Sequence, residues 1–254
     1  MYTVRLGSQT LPLSQQFIAA LTEAGPDWTD QASGRLQSYA VGDVGGKLAR
    51  VLTAHRADVQ RALDTLIALL DGERPAKRLI FIVGAPRTGG TYLTQAICRY
   101  HGVDTEQHAA VLHDGFPALG TLADLPLPKR RLHMAWQWAQ WLALVGDVAV
   151  KKLHTLVYDM EMADFLGAEV IGTTRDPDDA LASLLRRGES DITIQVTAAL
   201  RRIGRPTGDL SAMWPHYWTD FYGRLKADRM QDFGPDMAAP WGGTGFVSRP
   251  QGHV

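Results

Sequence analysis

The segment 78–100 constrains the fold of this 254-residue chain more than any other stretch. It begins with the short apolar run 79–83, continues with the glycine-rich sequence GAPRTGGT, and then reads as a helix with Leu93, Ala96 and Ile97 on one side. This order predicts a buried strand, a tight turn and a helix. In such a turn several backbone N–H groups converge at the helix N-terminus, where the helix dipole also favours negative charge. The segment therefore predicts an α/β fold with an anion site for phosphate or sulfate.

The glycine-rich turn is close to the phosphate loop of nucleotide kinases and ATPases, GxxxxGK[ST]. Gly84 and Gly89 occupy its two glycine positions and Thr91 its final hydroxyl position, whereas Gly90 stands where the lysine would be. A kinase of that class needs the lysine on the β- and γ-phosphates. Arg87 is the one cation within the turn. A small-molecule or nucleotide kinase therefore stays open as an alternative, as does a turn that binds no ligand.

The overall composition excludes several classes of protein. The net charge of −1 predicts no general basic surface for nucleic acid, so any anion site must be local. Cys98 is the only cysteine, which excludes an intramolecular disulfide framework and a cysteine-rich zinc site and predicts a buried structural thiol. No apolar run reaches the roughly 20 residues of a membrane helix, and no charged-then-apolar leader is recognisable. We therefore expect a cytoplasmic protein with no nucleic-acid partner and no membrane span.

Residues 1–77 are predicted to form a helical N-terminal extension, and residues 78–254 an α/β domain. Apolar residues recur at intervals of three and four across 48–70, which predicts an amphipathic helix, and 14–24 reads as a shorter helix. The pattern leaves open whether the extension packs on the sheet or forms a homodimer surface. Three tryptophans in 134–144 suit either a core or an apolar acceptor pocket.

Two further predicted strands are each followed by cations. The run 148–150 precedes Lys152 and His154, and the run 170–174 precedes Arg175. In an open parallel sheet ligands bind at the carboxyl ends of the strands, so these side chains are expected beside the glycine-rich turn. Lys152 and His154 face the same side because side chains alternate along an extended chain. An imidazole titrates near neutrality and a lysine carries a positive charge, so both side chains suit the surroundings of an anion.

These elements, in this order, resemble the sulfotransferases that use 3′-phosphoadenosine 5′-phosphosulfate (PAPS). PRTGGTY (86–92) is similar to the PRSGTT or PKSGTTW loop of that family, KLH (152–154) to its KxH element, and RDPDDALAS (175–183) to its RDPRDVLVS segment. The resemblance covers about 79–190. It implies a P-loop nucleotide-kinase-like sulfotransferase fold, a three-layer sandwich with a central parallel sheet. It also implies transfer of the sulfuryl group from PAPS to a hydroxyl or amine of a small-molecule acceptor, with PAP released and no metal required.

The resemblance implies a role for each matching residue of the nucleotide site. The turn would hold the 5′-phosphosulfate, through Arg87, Thr88, Gly89, Gly90 and Thr91. Tyr92 would stack on the adenine, and Arg175 and Ser183 would hold the 3′-phosphate that separates PAPS from ATP. Gly90 replaces the second threonine of the family pattern, so one side-chain donor is missing.

For the chemical step, the resemblance implies that His154 removes the acceptor proton and that Lys152 contacts the leaving group. Glu106, beyond the helix that follows the turn, is the substitute base, and His108 is its neighbour. The loop spacing of the histidines does not define a metal site, and none is expected. A non-catalytic PAP- or nucleotide-binding protein derived from a sulfotransferase stays open as a further alternative, because of Gly90 and an atypical C-terminus.

The C-terminal part is predicted to be helical and then irregular. The segments 192–203 and 214–230 read as helices, and the second is rich in aromatic residues that suit a core or an acceptor pocket. The remaining residues read as loops. No further strand is recognisable there, although members of the family usually have one.

Overall fold

The structure is a computed structural model that describes residues 2–6, 9–13, 61–62, 64–65, 68–69, 72–103, 138–139, 141–143, 145–158, 160–188 and 190–242. The chain divides into two compact units. One comprises Met1–Lys77 and Glu106–Asp147, and the other Arg78–Thr105 and Val148–Val254. The proposed domain division at residue 78 stays a prediction, and the segment 106–147 groups with the N-terminal residues.

The first unit begins with an antiparallel hairpin of β1 (Tyr2–Leu6) and β2 (Gln9–Leu13). The prediction of a helical N-terminal extension is therefore wrong for this stretch. Two short runs with β-branched and apolar residues, separated in sequence by a Gly-Ser pair, are typical of a hairpin. The predicted helix 14–24 lies outside the described residues, as does most of 48–70, where the described pieces 61–62, 64–65 and 68–69 are helical.

Two tryptophans of the first unit are buried. Trp138 and Trp141 lie in a helical segment and pack edge to face, with their ring centroids 5.2 Å apart. This contact favours the core interpretation over an acceptor pocket for these two side chains. Trp136 lies outside the described residues.

The second unit contains a four-stranded parallel sheet, which confirms the α/β class. Its strands are β3 (Arg78–Gly84), β4 (Val148–Lys152), β5 (Glu169–Thr174) and β6 (Arg229–Asp232), in the order β4-β3-β5-β6. Phe81 of β3 lies opposite Lys151 of β4 and Val170 of β5. The central strand is buried throughout 79–83, as expected for a parallel strand that is covered on both faces.

Five helices of this unit are described: α1 (Gly90–Tyr100), α2 (Glu161–Leu166), α3 (Pro177–Arg187), α4 (Ser190–Arg202) and α5 (Leu210–Arg224). Short 3-10 helices span His154–Tyr158 and Ala239–Trp241. The segment that follows β4 is therefore a 3-10 helix and then α2. The helix predicted over 214–230 ends at Arg224, because the chain continues into the strand β6 that sequence reasoning missed.

One face of the sheet packs on α1 through an apolar cluster. Its buried members are Ile80, Ile82, Leu93, Ile97, Cys98, Val150, Ile171, Met237 and Trp241. Burial raises the pKa of the Cys98 thiol to about 11, which keeps it protonated and supports its predicted structural role.

The helix α3, which follows β5, is capped by Asp176. The Asp176 carboxylate accepts hydrogen bonds of 3.0 Å from the N–H groups of Asp178 and Asp179.

Candidate functional site

The glycine-rich turn lies where the strand order reverses. β3 is flanked by β4 on one side and by β5 on the other. The connection from β3 to β4 therefore runs to one side of β3, and the connection from β4 to β5 returns to the other side. The three strands end close together, at Gly84, Lys152 and Thr174. Open α/β sheets bind ligands in the crevice at such a point. The candidate site is therefore built from the turn and from the residues that follow β4 and β5.

The turn has a backbone that few residue types adopt. Gly89 has φ 84° and caps α1 without a side-chain hydrogen bond. Arg87 has φ 70°, the left-handed region that costs a non-glycine residue on the order of 1–3 kcal/mol. Such a conformation persists because the surrounding contacts impose it, and it directs the turn around the N-terminus of α1.

Thr88 is directed into the protein. Its side chain is 1% exposed, and its hydroxyl donates to the carbonyl oxygen of Ala85 at 2.7 Å. The Thr173 hydroxyl lies 2.7 Å from the Thr88 hydroxyl oxygen. Because Thr88 uses its one hydrogen on Ala85, Thr173 is the donor in this second pair. Thr88 was predicted to hold a phosphosulfate through this hydroxyl, and the structure engages the group in tying the turn to β5.

Tyr222 of α5 supports the turn from behind, and sequence reasoning missed this role. Its hydroxyl donates to the Thr173 carbonyl oxygen at 2.7 Å and accepts from the Ala85 N–H at 3.4 Å. Burial raises the pKa of Tyr222, so the phenol remains a donor. The sequence shows that α5 is rich in aromatic residues, but this pattern does not predict which of their rings reaches the turn.

Lys152 brings a cation to the turn from the neighbouring strand. Its Nζ donates to the Thr91 hydroxyl at 2.8 Å. A Cβ atom at Gly90 would lie 3.2 Å from Lys152 Cδ, closer than side-chain carbons normally approach. The glycine that replaces the kinase lysine therefore leaves room for the Lys152 side chain, and the structure brings Lys152, Gly90 and Thr91 together.

His154 contacts the other end of the turn. Its Nδ1 is hydrogen-bonded to the carbonyl oxygen of Gly84. A carbonyl oxygen only accepts, so in the neutral ring Nδ1 carries the proton and Nε2 is the basic nitrogen. The Leu153 N–H donates to the Ile82 carbonyl oxygen at 2.9 Å, which continues the β4–β3 ladder and fixes the backbone just before His154. The ring is thus held in the tautomer that a general base needs.

Arg87 and Ser183 meet, although they were predicted at opposite ends of a nucleotide. Arg87 Nε donates to the Ser183 hydroxyl oxygen at 3.1 Å. Ser183 lies on α3 and is buried. This bond joins the turn to the helix that follows β5.

Arg175 is connected to the turn through Phe233, which sequence reasoning also missed. The Arg175 side chain is 20% exposed, lies 3.8 Å from Asp179 and stacks over the Phe233 ring, with Cζ 4.6 Å from the ring centroid. A Cβ atom at Gly89 would lie 2.5 Å from Phe233 Cδ2, so the ring packs directly on the turn. Phe233 follows the unpredicted strand β6, and therefore no local pattern pointed to it.

Three further residues named in the sequence analysis are not brought to the turn by any described contact. Tyr92 is partly buried and packs against the apolar cluster beneath α1, and its stacking on adenine stays a prediction. Glu106 and His108 lie outside the described residues.

Comparisons with protein-family models, with curated proteins and with solved structures each give no match. Within the part of the chain that the structure describes, no helix is long and apolar enough to cross a membrane. Among the same residues, no group of three or more His, Cys, Asp or Glu side chains is arranged to hold a metal ion. The side chains around the glycine-rich turn are therefore the features of this chain that indicate a function.

Proposed function

We propose that this protein is a PAPS-dependent sulfotransferase that moves the sulfuryl group to a hydroxyl or amine of a small-molecule acceptor and releases PAP. The observation that carries the proposal is the convergence of Lys152 and His154 on the turn: one reaches Thr91 at its helical end, and the other bonds to Gly84 at its strand end. A cation and an oriented base beside an anion-binding turn are the groups that transfer from an anionic donor requires.

The chemical step follows from these positions. The acceptor oxygen or nitrogen attacks the sulfur in line and loses its proton to Nε2 of His154. The bond between the sulfur and the bridging oxygen breaks, and the electron pair stays on the 5′-phosphate of PAP. Lys152 stabilises the negative charge that develops there. Glu106 is the substitute base in this scheme.

The contact between Arg87 and Ser183 is compatible with a nucleotide that both residues bind. A serine hydroxyl has one donor and two acceptor lone pairs. Because Arg87 uses an acceptor lone pair of Ser183, the hydroxyl hydrogen can donate to a 3′-phosphate oxygen. The Arg175 guanidinium would supply the charge at that phosphate.

The bond between Lys152 and Thr91 disfavours the kinase alternative. In a P-loop kinase the hydroxyl at this position binds magnesium. An ammonium group 2.8 Å from the Thr91 oxygen would repel a divalent cation at the same place. The proposal also includes the finer fold assignment, a three-layer sandwich of the P-loop sulfotransferase type, together with a cytoplasmic location.

Nucleotide binding is the first test of the proposal. PAP should raise the thermal midpoint of the whole chain, because a ligand that binds only the folded state stabilises it. ATP with Mg²⁺ should raise the midpoint much less. Stabilisation by ATP with Mg²⁺ and not by PAP would overturn the proposal in favour of a kinase.

Turnover is the second test. We expect labelled PAPS to transfer its sulfuryl group to at least one member of a panel of hydroxyl and amine acceptors. His154→Ala should lower that rate about 10²- to 10⁴-fold while PAP still binds. If His154→Ala and Glu106→Ala both kept the full rate, the assignment of the base would be wrong. If the chain bound PAP but neither transferred the sulfuryl group nor hydrolysed PAPS, it would be the non-catalytic binding protein.

A further inference from the structure

A second pocket lies at the surface of the α/β unit, between the end of α4 and one face of α5. Its volume is about 440 Å³, within the range of roughly 300–1,000 Å³ that is usual for small-molecule sites. The lining residues are Ile203, Arg205, His216, Thr219, Asp220, Gly223 and Arg224. None of them belongs to the glycine-rich turn or contacts it through a hydrogen bond described above.

The charges in this pocket favour an anion. Among the described residues of the lining, Asp220 is the one carboxylate, and both of its oxygens accept from Arg224 Nε at 2.9 Å. The charges of Asp220 and Arg224 therefore cancel each other. The Arg224 guanidinium carries four further N–H donors on its two Nη atoms. Arg205 adds a second guanidinium, so the lining has a net positive charge. Asp220 is 18% exposed and Arg224 44%, which leaves the cation more accessible than its partner.

Arg205 is fixed at the rim by the end of α4. The Arg205 N–H donates to the Leu200 carbonyl oxygen at 3.0 Å, and the Gly204 N–H donates to the Arg201 carbonyl oxygen at 3.2 Å. Gly204 has φ 66°, so the helix ends in a turn of the Schellman type. The backbone that carries the second guanidinium is therefore ordered by hydrogen bonds before any ligand arrives.

Gly223 keeps the pocket open at a cost to the helix. A glycine within a helix is less stable than an alanine at the same position. A Cβ atom at Gly223 would meet no atom within 4 Å, so packing within the described chain does not require the small residue. A side chain at this position would instead project into open space at the pocket.

We propose that this pocket binds a small organic molecule through an oxyanion group, a carboxylate or a phosphate, held by Arg205 and Arg224. Bidentate guanidinium pairing suits both groups. His216 and Thr219 line the same cavity and contact the polar body of the ligand. The site is separate from the proposed nucleotide site.

Residue-resolved NMR titration of the whole chain tests this site. Succinate and inorganic phosphate are added in separate series, with chloride adjusted to hold the ionic strength constant. Saturable shifts are expected at the amides of Thr219, Asp220 and Gly223, and the tighter of the two anions identifies the group. Shifts at 85–92 are followed separately, so that anion binding at the turn and at this pocket give independent results.

Three variants complete the test. Arg205→Ala should weaken binding at the pocket about ten- to a hundredfold, because it removes one of the two guanidinium groups that hold the anion. Arg201→Ala removes an exposed arginine of α4 outside the lining and should leave the affinity unchanged. Gly223→Phe should abolish the saturable shifts with no loss of thermal stability. Linear shifts without saturation, or equal affinities in Arg205→Ala and Arg201→Ala, would overturn the proposal.

Discussion

Lys152 Nζ donates a hydrogen bond of 2.8 Å to Thr91 Oγ1, although the two residues are 61 positions apart in the chain. The bond joins the end of β4 to the first turn of α1. Gly90 admits it, because a side chain at that position would press against the Lys152 methylene groups. The ammonium group that the turn lacks in its own sequence is thus supplied by a neighbouring strand.

Replacing Lys152 with methionine should lower kcat for sulfuryl transfer about 10²- to 10³-fold, the usual loss when one donor to a developing negative charge is removed. The dissociation constant for PAP should change less, because the charge on the leaving group develops mainly in the transition state. Steady-state kinetics with PAPS and direct titration with PAP separate the two effects. Lys226→Met removes an exposed lysine elsewhere and serves as the control. An equal loss in both variants would contradict the role of Lys152.

Replacing Thr88 with valine should destabilise the fold by about 1–3 kcal/mol, because the Ala85 carbonyl and the Thr173 hydroxyl would lose a buried partner. Thr88→Ser keeps the hydroxyl and should cost less. Urea unfolding measures both variants, and PAP affinity is measured where both are folded. If the Thr88 hydroxyl instead held the phosphosulfate, Thr88→Val would weaken PAP binding and leave the stability near that of the parent.

Replacing Ser183 with alanine should reduce discrimination between PAP and adenosine 5′-phosphate, which lacks the 3′-phosphate. The loss of one hydrogen bond to a charged group corresponds to about a tenfold fall in the affinity ratio. Isothermal titration with both nucleotides gives that ratio. Ser211→Ala, on the exposed side of α5, should keep the parent ratio. An unchanged ratio in Ser183→Ala would remove this residue from the 3′-phosphate site.

The strands that carry the site could be predicted because they are short apolar runs. The runs at 79–83, 148–150 and 170–174 all fall within strands of the parallel sheet. β6 could not be predicted in the same way, because its sequence RMQD is mostly exposed and has no apolar run. The hairpin at 2–13 could not be predicted from periodicity, because its two strands have only five residues each and runs this short do not distinguish a strand from a helix.

The candidate site was predictable to the extent that it follows from strand ends. Lys152 and His154 come to the turn because β4 neighbours β3, as expected from the order of the blocks. The inward direction of the Thr88 hydroxyl was not predictable, since spacing does not determine which way a turn side chain points. Tyr222 and Phe233 were missed because they come from distant segments whose local patterns are those of ordinary core residues.

Lys151, the residue before Lys152, is fully buried, whereas Lys152 is partly exposed. Side chains alternate along β4, so the two lysines lie on opposite faces of the sheet. Lys151 is 0% exposed, and burial lowers its pKa well below the ordinary value of 10.5. Between the lowered folded-state pKa and the ordinary value, the unfolded chain binds more protons than the folded one. Stability therefore rises with pH across this window.

Replacing Lys151 with methionine should remove this dependence. The variant should be more stable relative to the parent at pH 7 than at pH 9, because the parent must release a proton on folding and does so more easily at higher pH. The Cys98 thiol lowers stability only as pH rises above its ordinary pKa of 9.0. Burial also lowers the pKa of Lys77, but Lys77 is present in both proteins, so the change in their stability difference from pH 7 to 9 reports Lys151. Urea unfolding at several pH values measures the difference, with Lys226→Met as the control for the lost charge. A stability difference that stays constant from pH 7 to 9 would show that Lys151 has no lowered pKa in the folded chain.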